Sequence, residues 1–596
     1  MMRLQAPVHV QYLCETDAFS QDSPILMFAR QQMDAYLALI FAGEGRPQQL
    51  AVVFSNDADA ALRHDGYTVT IAPDAVIIAS AMERGILYGV YEFLRMLGCR
   101  FPFNSIKMEI ISRLNDISLT EQTVRKDPWL EYRGLCLYDT TKETLVRTLD
   151  TVDWMAKNNY NLLLTSIHRT DDAVDGAHAI LWDEIADEVL PELRKRGIAV
   201  DMSEHSTDYF FPRHKWYKLH PEWFSLIDGK REPRQICYSN MEAVREYAAS
   251  FVRFVQDHHD FQFLGIWPLD GAGYCECDRC SDPLTLLRAN AYIADEIGKV
   301  RPDLIVEHLA YTPQSFARPQ EELPRNMSAL VCNVNDQVAY EWGAVAKNSG
   351  GAFYFDYHTG DHYRFRSNLW IHPAYIREMV NTFAAYEYRG IVSLYLPITS
   401  WWQSSLNYYF LSRFYYEPTA SIEALTAELC AELFGVRNQT QMTKVFMAIF
   451  EQLQDSTLWS GMPHKHPYYT EHITGRSRAV DRLHREKMQS TLRSIEAMLQ
   501  EVEAGAADAY AQIQLAYVRE YIRLQWLYFD CVDQYDADTD TPKRAEPYFL
   551  ALGKLEQQYG QVFIGENYAR WRVAGRDNIL DPRNVNAYQP RTDQSK

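Results

Sequence analysis

The chain has 596 residues, 23% of them charged and 47% apolar, and a formal net charge of −20. That length exceeds a single hydrophobic core and fits about three to four domains of ordinary globular composition. The acidic balance excludes a nucleic-acid-binding surface, which needs clustered Lys and Arg, and no basic amphipathic stretch points to a membrane.

The first ten residues, MMRLQAPVHV, lack a long apolar core and a small-residue cleavage site. They do not read as a signal peptide, and no later run of about 18 apolar residues reads as a membrane span, so the expected location is the cytoplasm. Ten cysteines in so long a chain do not form a disulfide framework. Most are expected to be buried apolar fillers.

Residues 1–125 are predicted to form an N-terminal α/β domain. Residues 51–54 read as a strand. Residues 66–71 and 75–79 read as a hairpin turned at Pro73-Asp74. Ile86, Val90, Phe93, Leu94 and Leu97 then share one helical face, and Gly98 stands where a C′ residue is expected.

From about residue 126 to 418 the pattern changes to strand, helix, strand. Candidate strands are 133–138, ending at Asp139, and 162–167, ending at His168. A third, 198–202, is followed by Glu204 and His205. A long insertion follows, and Ser239-Asn240-Met241-Glu242 resembles a capping box. The fourth strand, 263–269, stops at Asp270 and Gly271. The fifth, 304–310, carries Glu307 and leads to Tyr311. The sixth, 328–332, ends near Asn333 and Asp336. The seventh, 352–355, ends in Asp356-Tyr357-His358. The eighth, 390–396, is followed by Ser400-Trp401-Trp402. Eight alternating units predict an α/β chain built on a (β/α)8 TIM barrel. Residues 419–588 have helical patterning and form the predicted C-terminal helical domain, which packs on the barrel or on a second copy in a homodimer. The last segment, 589–596, reads as a disordered tail.

Three stretches occur together: Arg84-Gly85-Ile86-Leu87-Tyr88-Gly89-Val90-Tyr91-Glu92-Phe93-Leu94, then Tyr132-Arg133-Gly134, then Asp270-Gly271 with Tyr274-Cys275-Glu276-Cys277-Asp278-Arg279-Cys280. The combination resembles a bacterial glycoside-hydrolase family first catalogued as a domain of unknown function. That family is related in layout to α-glucuronidases and β-N-acetylhexosaminidases, and some members are endo-β-N-acetylglucosaminidases. The resemblance covers most of residues 60–430. It implies a small N-terminal α/β domain, a catalytic barrel and a helical C-terminal region.

Glycosidic cleavage needs a proton donor and a second group that attacks or stabilises the oxocarbenium carbon, or that orients a 2-acetamido group to do so. Both designs place two carboxylates on one cavity. Asp270 is the first candidate, as general acid or acetamido-orienting group. Its alternative is a rim cap or ion-pair partner. Asp356 is the second. The resemblance implies a Glu there, one methylene longer. Glu307 is the third; inside a barrel, a carboxyl needs a partner or a raised pKa, and an ion pair is the alternative. Asp139, His168, Glu204 and His205 are candidate binders of sugar hydroxyls. Trp267, Tyr311, Tyr357, Trp401 and Trp402, with His358, are candidates for stacking on or binding a pyranose, against plain rim packing. Relatives tend to carry a carboxylate after strand eight, and 394–400 has none.

Cys275, Cys277 and Cys280 form a C-x-C-x2-C group, and Cys237 offers a fourth thiol. A structural zinc, reduced packing thiols and a redox role all remain open, because the spacing is not the paired C-x2-C kind. No cofactor is expected for catalysis. The substrate expected is an oligosaccharide with N-acetylhexosamine. A uronidase using Arg133, Arg169 or Arg364, and a non-catalytic sugar-binding protein, are the alternatives.

Overall fold

The computed structural model describes residues 1–535 except 15–18, 20–21, 44–45, 57–60, 104–107, 138–141, 143–144, 166–181, 271–272, 318–321, 333, 335, 357–370, 372, 395–401, 455–477 and 504–508. The chain divides into two compact units. The first holds Met1–Asp172, His178–Asp356 and Thr382–Ser393; the second holds Ala173–Ala177, Tyr357–Asn381 and Leu394–Lys596.

The first unit opens with β1 (Met2–Gln5), β2 (Val8–Cys14), α1 (Pro24–Ile40), β3 (Gln48–Ser55), β4 (Tyr67–Ile71), β5 (Ala75–Ala79), α2 (Glu83–Met96), β6 (Asp116–Leu119) and β7 (Gln122–Lys126). Strands β2, β3, β5, β4 and β7 form one sheet in that order. β4 and β5 pair antiparallel as the expected hairpin. Helix α2 buries Ile86, Leu87, Tyr88, Val90, Tyr91, Phe93 and Leu94. Its glycines permit close approach. A Cβ on Gly89 would lie 2.3 Å from Ile78 Cγ2, and one on Gly85 would lie 2.0 Å from Ser80 Oγ. Helix α2 ends where Gly98 adopts φ +96°, a left-handed residue that a side chain would strain.

The barrel follows in the chain. Its chain runs β8 (Tyr132–Leu137), α3 (Leu145–Lys157), β9 (Leu162–Thr165), α4 (Trp182–Arg194) and β10 (Ala199–Met202). An insertion follows with α5 (Thr207–Phe210), α6 (Arg213–Leu219) and the antiparallel hairpin β11 (Phe224–Ile227) and β12 (Lys230–Ile236). Then come α7 (Met241–Asp257), β13 (Phe263–Gly265), α8 (Thr285–Gly298), β14 (Ile305–Ala310), β15 (Met327–Cys332), α9 (Asp336–Ala346), β16 (Ala352–Asp356), α10 (Pro373–Ala385) and β17 (Gly390–Leu394). The strands close as β10-β13-β14-β15-β16-β17-β8-β9, so the fold is a (β/α)8 TIM barrel. Asn240 caps α7, accepting from Glu242 N at 3.1 Å, so the cap falls one residue past the Ser239 of the expected capping box.

Rings from three strands fill the floor of the barrel. Tyr132, Phe263 and Phe353 meet with centroids 5.1 to 5.6 Å apart. On the outer face, Tyr354 stacks on Phe383 of α10 at 3.8 Å. A buried carboxylate helps to hold the N-terminal domain to the barrel. Asp65 Oδ2 accepts from Arg84 Nε at 2.7 Å, Arg133 Nη2 at 2.7 Å and Asn161 Nδ2 at 2.9 Å. These contacts put the first 125 residues in one unit with β8 and β9.

The described part of the second unit is helical: α11 (Trp402–Phe414), α12 (Ile422–Phe434), α13 (Gln439–Gln454), and helices over Arg478–Glu503 and Ala509–Tyr535. Ser421 caps α12. Residues 536–588 of the expected helical domain and the tail 589–596 lie outside the described residues. Among the described residues no helix is long and apolar enough to cross a membrane.

Candidate active site

Three neighbouring strands carry the polar interior. Phe263 faces the barrel axis, and side chains alternate along a strand. Gly265 therefore shares its face. Asp201 pairs with Phe263 across β10 and β13, and Glu307 pairs with Gly265 across β13 and β14. Asp201, Ser203 and Glu307 thus converge inside the barrel at the C-terminal ends of β10 and β13.

Gly265 leaves the space they need. A Cβ there would lie 2.6 Å from Ser203 Cβ and Oγ and 2.7 Å from Trp267 Nε1. The indole of Trp267 enters this slot and donates to Glu307 Oε1 at 3.1 Å. Ser203 donates to Asp201 Oδ1. Asp201 is 0% exposed and Glu307 1%. Burial pushes the Glu307 carboxyl well above the usual range, and the neighbouring Asp201 charge raises it further; bonds from Trp267 and Ser203 pull back only part. Burial likewise pushes Asp201 up to about 7 against the Ser203 bond. The two acids titrate as a pair, with the protonated form favoured.

Above this pair the chain leaves strand geometry. Strand β13 ends at Gly265, four residues earlier than expected, because Pro268 offers no N–H to a ladder and the carbonyls turn to the insertion. Thr207 Oγ1 donates to Trp267 O at 3.2 Å, and His205 Nδ1 bonds Pro268 O at 2.5 Å. Gln235 clamps Leu269 from both sides, accepting from its N at 3.1 Å and donating to its O at 2.6 Å. Asp270 follows, five residues beyond the strand, with its side chain 63% exposed.

A rim cluster gathers around Asp270. His205 Nε2 lies 4.0 Å from Asp270 Oδ1. The His205 ring meets Trp267 edge-on at 5.3 Å and lies 6.4 Å from Tyr311. Thr312 Oγ1 donates to Tyr274 OH at 3.2 Å. Burial pushes the Tyr274 hydroxyl up to about 12; the Thr312 bond opposes this and the Asp270 charge adds to it. Glu204 is buried, and its Oε1 accepts from His205 N at 2.9 Å. Its Oε2 has no hydrogen-bond partner among the described residues.

Asp356 sits elsewhere on the wall. It ends β16, is buried, and accepts from Ser393 Oγ at 3.1 Å. Alternation puts it with Tyr354 on the helix-facing side, whereas Phe355 faces Trp267 edge-on at 6.3 Å. Asp139, His168, Tyr357, His358 and Trp401 lie outside the described residues, as do Arg169 and Arg364. Trp402 opens α11, with its side chain outside them. Arg133 lies at the start of β8, fully buried and bonded to Asp65, Asn159 O and Leu130 O. It is a structural cation, remote from any sugar carboxylate at the rim.

The sequence reading missed Asp201, Ser203, Gln235, Tyr274 and Thr312. Asp201 was legible in one respect: an Asp inside an apolar strand, two residues before a Ser, fits a polar lumen face. Gln235 gives no such signal, since its role depends on the hairpin fold.

The four predicted cysteines do meet. Their sulfurs lie within 4.8 Å of one another. Cys237 Sγ is 3.5 Å from Cys275, 3.9 Å from Cys277 and 3.8 Å from Cys280.

The carboxylates and aromatic rings lie at the C-terminal rim, the face where TIM barrels carry their active sites. A family model described as "Domain of unknown function (DUF4838)" matches residues 103–444, and the chain belongs to that family. No curated protein matches the chain. Among solved structures it is similar in fold to BtGH115A, a GH115 4-O-methyl-α-glucuronidase with specificity for decorated arabinogalactans. The identity is 11%, covering 97% of this chain and 78% of that one, with a TM-score of 0.66. A GH138 enzyme targeting pectin rhamnogalacturonan II aligns at 11% identity over 98% of this chain and 77% of its own, with a TM-score of 0.57. CpGH89 from Clostridium perfringens, in complex with GlcNAc-α-1,4-galactose, aligns at 12% identity over 90% and 66%, with a TM-score of 0.55.

Proposed function

We propose that this chain is a glycoside hydrolase that cleaves an oligosaccharide containing an N-acetylhexosamine. The observation that carries this reading is the exposed Asp270 carboxylate, set among His205, Trp267, Tyr274 and Tyr311 at the barrel mouth. Asp270 protonates the leaving oxygen or orients the 2-acetamido group. The Tyr311 ring at the rim stacks on the pyranose. Glu204, whose buried Oε2 has no hydrogen-bond partner among the described residues, is the second carboxylate proposed at the rim. Glu307, closed beneath Trp267, is a positioning acid: with Asp201 it fixes the indole that shapes the mouth. The fold likeness to three glycoside hydrolases supports the reaction class.

A second reading, a uronidase, is favoured by the likeness to the GH115 α-glucuronidase. Hydrolysis of an aryl β-N-acetylglucosaminide supports the first reading, and hydrolysis of an aryl glucuronide alone supports the second. Sugar binding without turnover, unchanged in Asp270→Asn, would assign a non-catalytic binding protein.

A further inference from the structure

We infer that Cys237, Cys275, Cys277 and Cys280 hold a structural tetrahedral zinc that staples the loop after Asp270 to the β11–β12 hairpin. Four thiolates at about 2.3 Å from a central zinc stand about 3.8 Å apart along each edge of the tetrahedron. The three distances from Cys237 to the other sulfurs, 3.5, 3.9 and 3.8 Å, match that edge. A disulfide would bring two sulfurs to about 2.05 Å. All four cysteines are unbridged.

The surroundings suit thiolates rather than thiols. Leu226 N–H donates to Cys275 Sγ at 3.3 Å. Ser239 Oγ lies 3.4, 3.4 and 3.3 Å from Cys237, Cys277 and Cys280. Arg231 Nη1 lies 3.8 Å from Cys275 Sγ. A backbone N–H and a guanidinium therefore point at an all-sulfur set with the Ser239 hydroxyl beside it, and the Arg231 charge offsets part of the net −2 of a zinc tetrathiolate. Thiolates select a soft ion, and four of them leave no position for a substrate or water, so the metal is structural.

Its place in the chain gives it a task. Cys237 follows β12, and the other three ligands follow Asp270 within ten residues. Glu276 N donates to Leu226 O at 2.8 Å, laying this loop along β11. Gln235 of β12 holds Leu269. Leu269 and Glu276 are thus each clamped to one hairpin, and the metal fixes the second clamp. The consequence for catalysis rests on the proposed function; the metal site does not.

Zinc in purified full-length protein, prepared without a chelating column, is read by elemental mass spectrometry. About one zinc per chain is expected, with near-complete loss in Cys277→Ser/Cys280→Ser. To separate metal loss from unfolding of that variant, the wild type is also stripped and reloaded with cobalt(II) alone, where the absorption of a tetrahedral tetrathiolate is expected. Metal-free protein should also become protease-sensitive within residues 270–281. A folded, metal-free wild type with four titratable thiols, iron in place of zinc, or a Cys237–Cys280 disulfide would each overturn the inference. Zinc without glycoside hydrolysis would leave the metal site standing and remove the proposed reaction; hydrolysis without zinc would do the reverse.

Discussion

The indole N–H of Trp267 donates to Glu307 Oε1 at 3.1 Å, joining the open rim of the barrel to its buried acid pair. The bond exists because β13 stops at Gly265 and lets the next inward side chain fold back over the lumen. A group that shapes the mouth is therefore held by carboxyls that no solvent reaches.

That arrangement sets a pH dependence. Asp201 has an ordinary value of 3.8 and is pushed up to about 7, and Glu307 is also raised. The folded pair binds protons that the unfolded chain has already released between these values. Its contribution to stability is complete below about pH 4 and is lost as pH rises toward about 7. Asp201→Asn/Glu307→Gln should flatten the fall, so that its Tm gains on the wild type between pH 4 and pH 8. Parallel Tm curves for the two proteins would remove the buried pair from the account.

Gly265→Ala tests the slot itself. The added methyl meets Ser203 and the Trp267 nitrogen inside 3.0 Å, neither of which can retreat in a filled lumen. A loss of roughly 1–3 kcal/mol is expected on overpacking, read by urea denaturation. An unchanged midpoint would show that the indole has another place to go.

At the opposite end, Asp65 ties α2 to β8 and β9. Burial pushes its carboxyl up, but Arg133 and Arg84 outweigh this and hold it near about 2. The ion pair is fully buried on both sides. Arg133→Ala leaves a buried carboxylate short of its main partner, at a cost of about 3–5 kcal/mol. The wild-type contribution should be present above the ordinary carboxyl value of 3.8 and vanish as pH falls through about 2. A variant as stable as wild type at pH 7 would contradict this.

The barrel was legible because alternating periods separate strands from helices at long range. Eight apolar runs at regular spacing require no knowledge of contacts, and their closure follows from the fold class. The β11–β12 hairpin was not legible. Its second strand, KREPRQI, is charged and carries Pro233, which suits an edge strand and breaks the apolar alternation. Asp270, His205, Trp267 and Tyr311 could be read as rim residues because each follows an apolar run. Asp356 also follows one, yet parity along β16 sets it with Tyr354 on the outer side, a distinction that depends on register and not on position in the chain. The cysteine cluster was visible as a spacing, whereas the sulfur geometry required the fold.

In the proposed function Asp270 does chemistry on a sugar at the barrel mouth. Its most direct test is the turnover of Asp270→Asn beside wild type on an aryl glycoside that the wild type cleaves, with folding of the variant verified by its Tm. The account predicts a loss of about 10²-fold or more in kcat with little change in Tm. Wild-type turnover in a folded Asp270→Asn protein would contradict it.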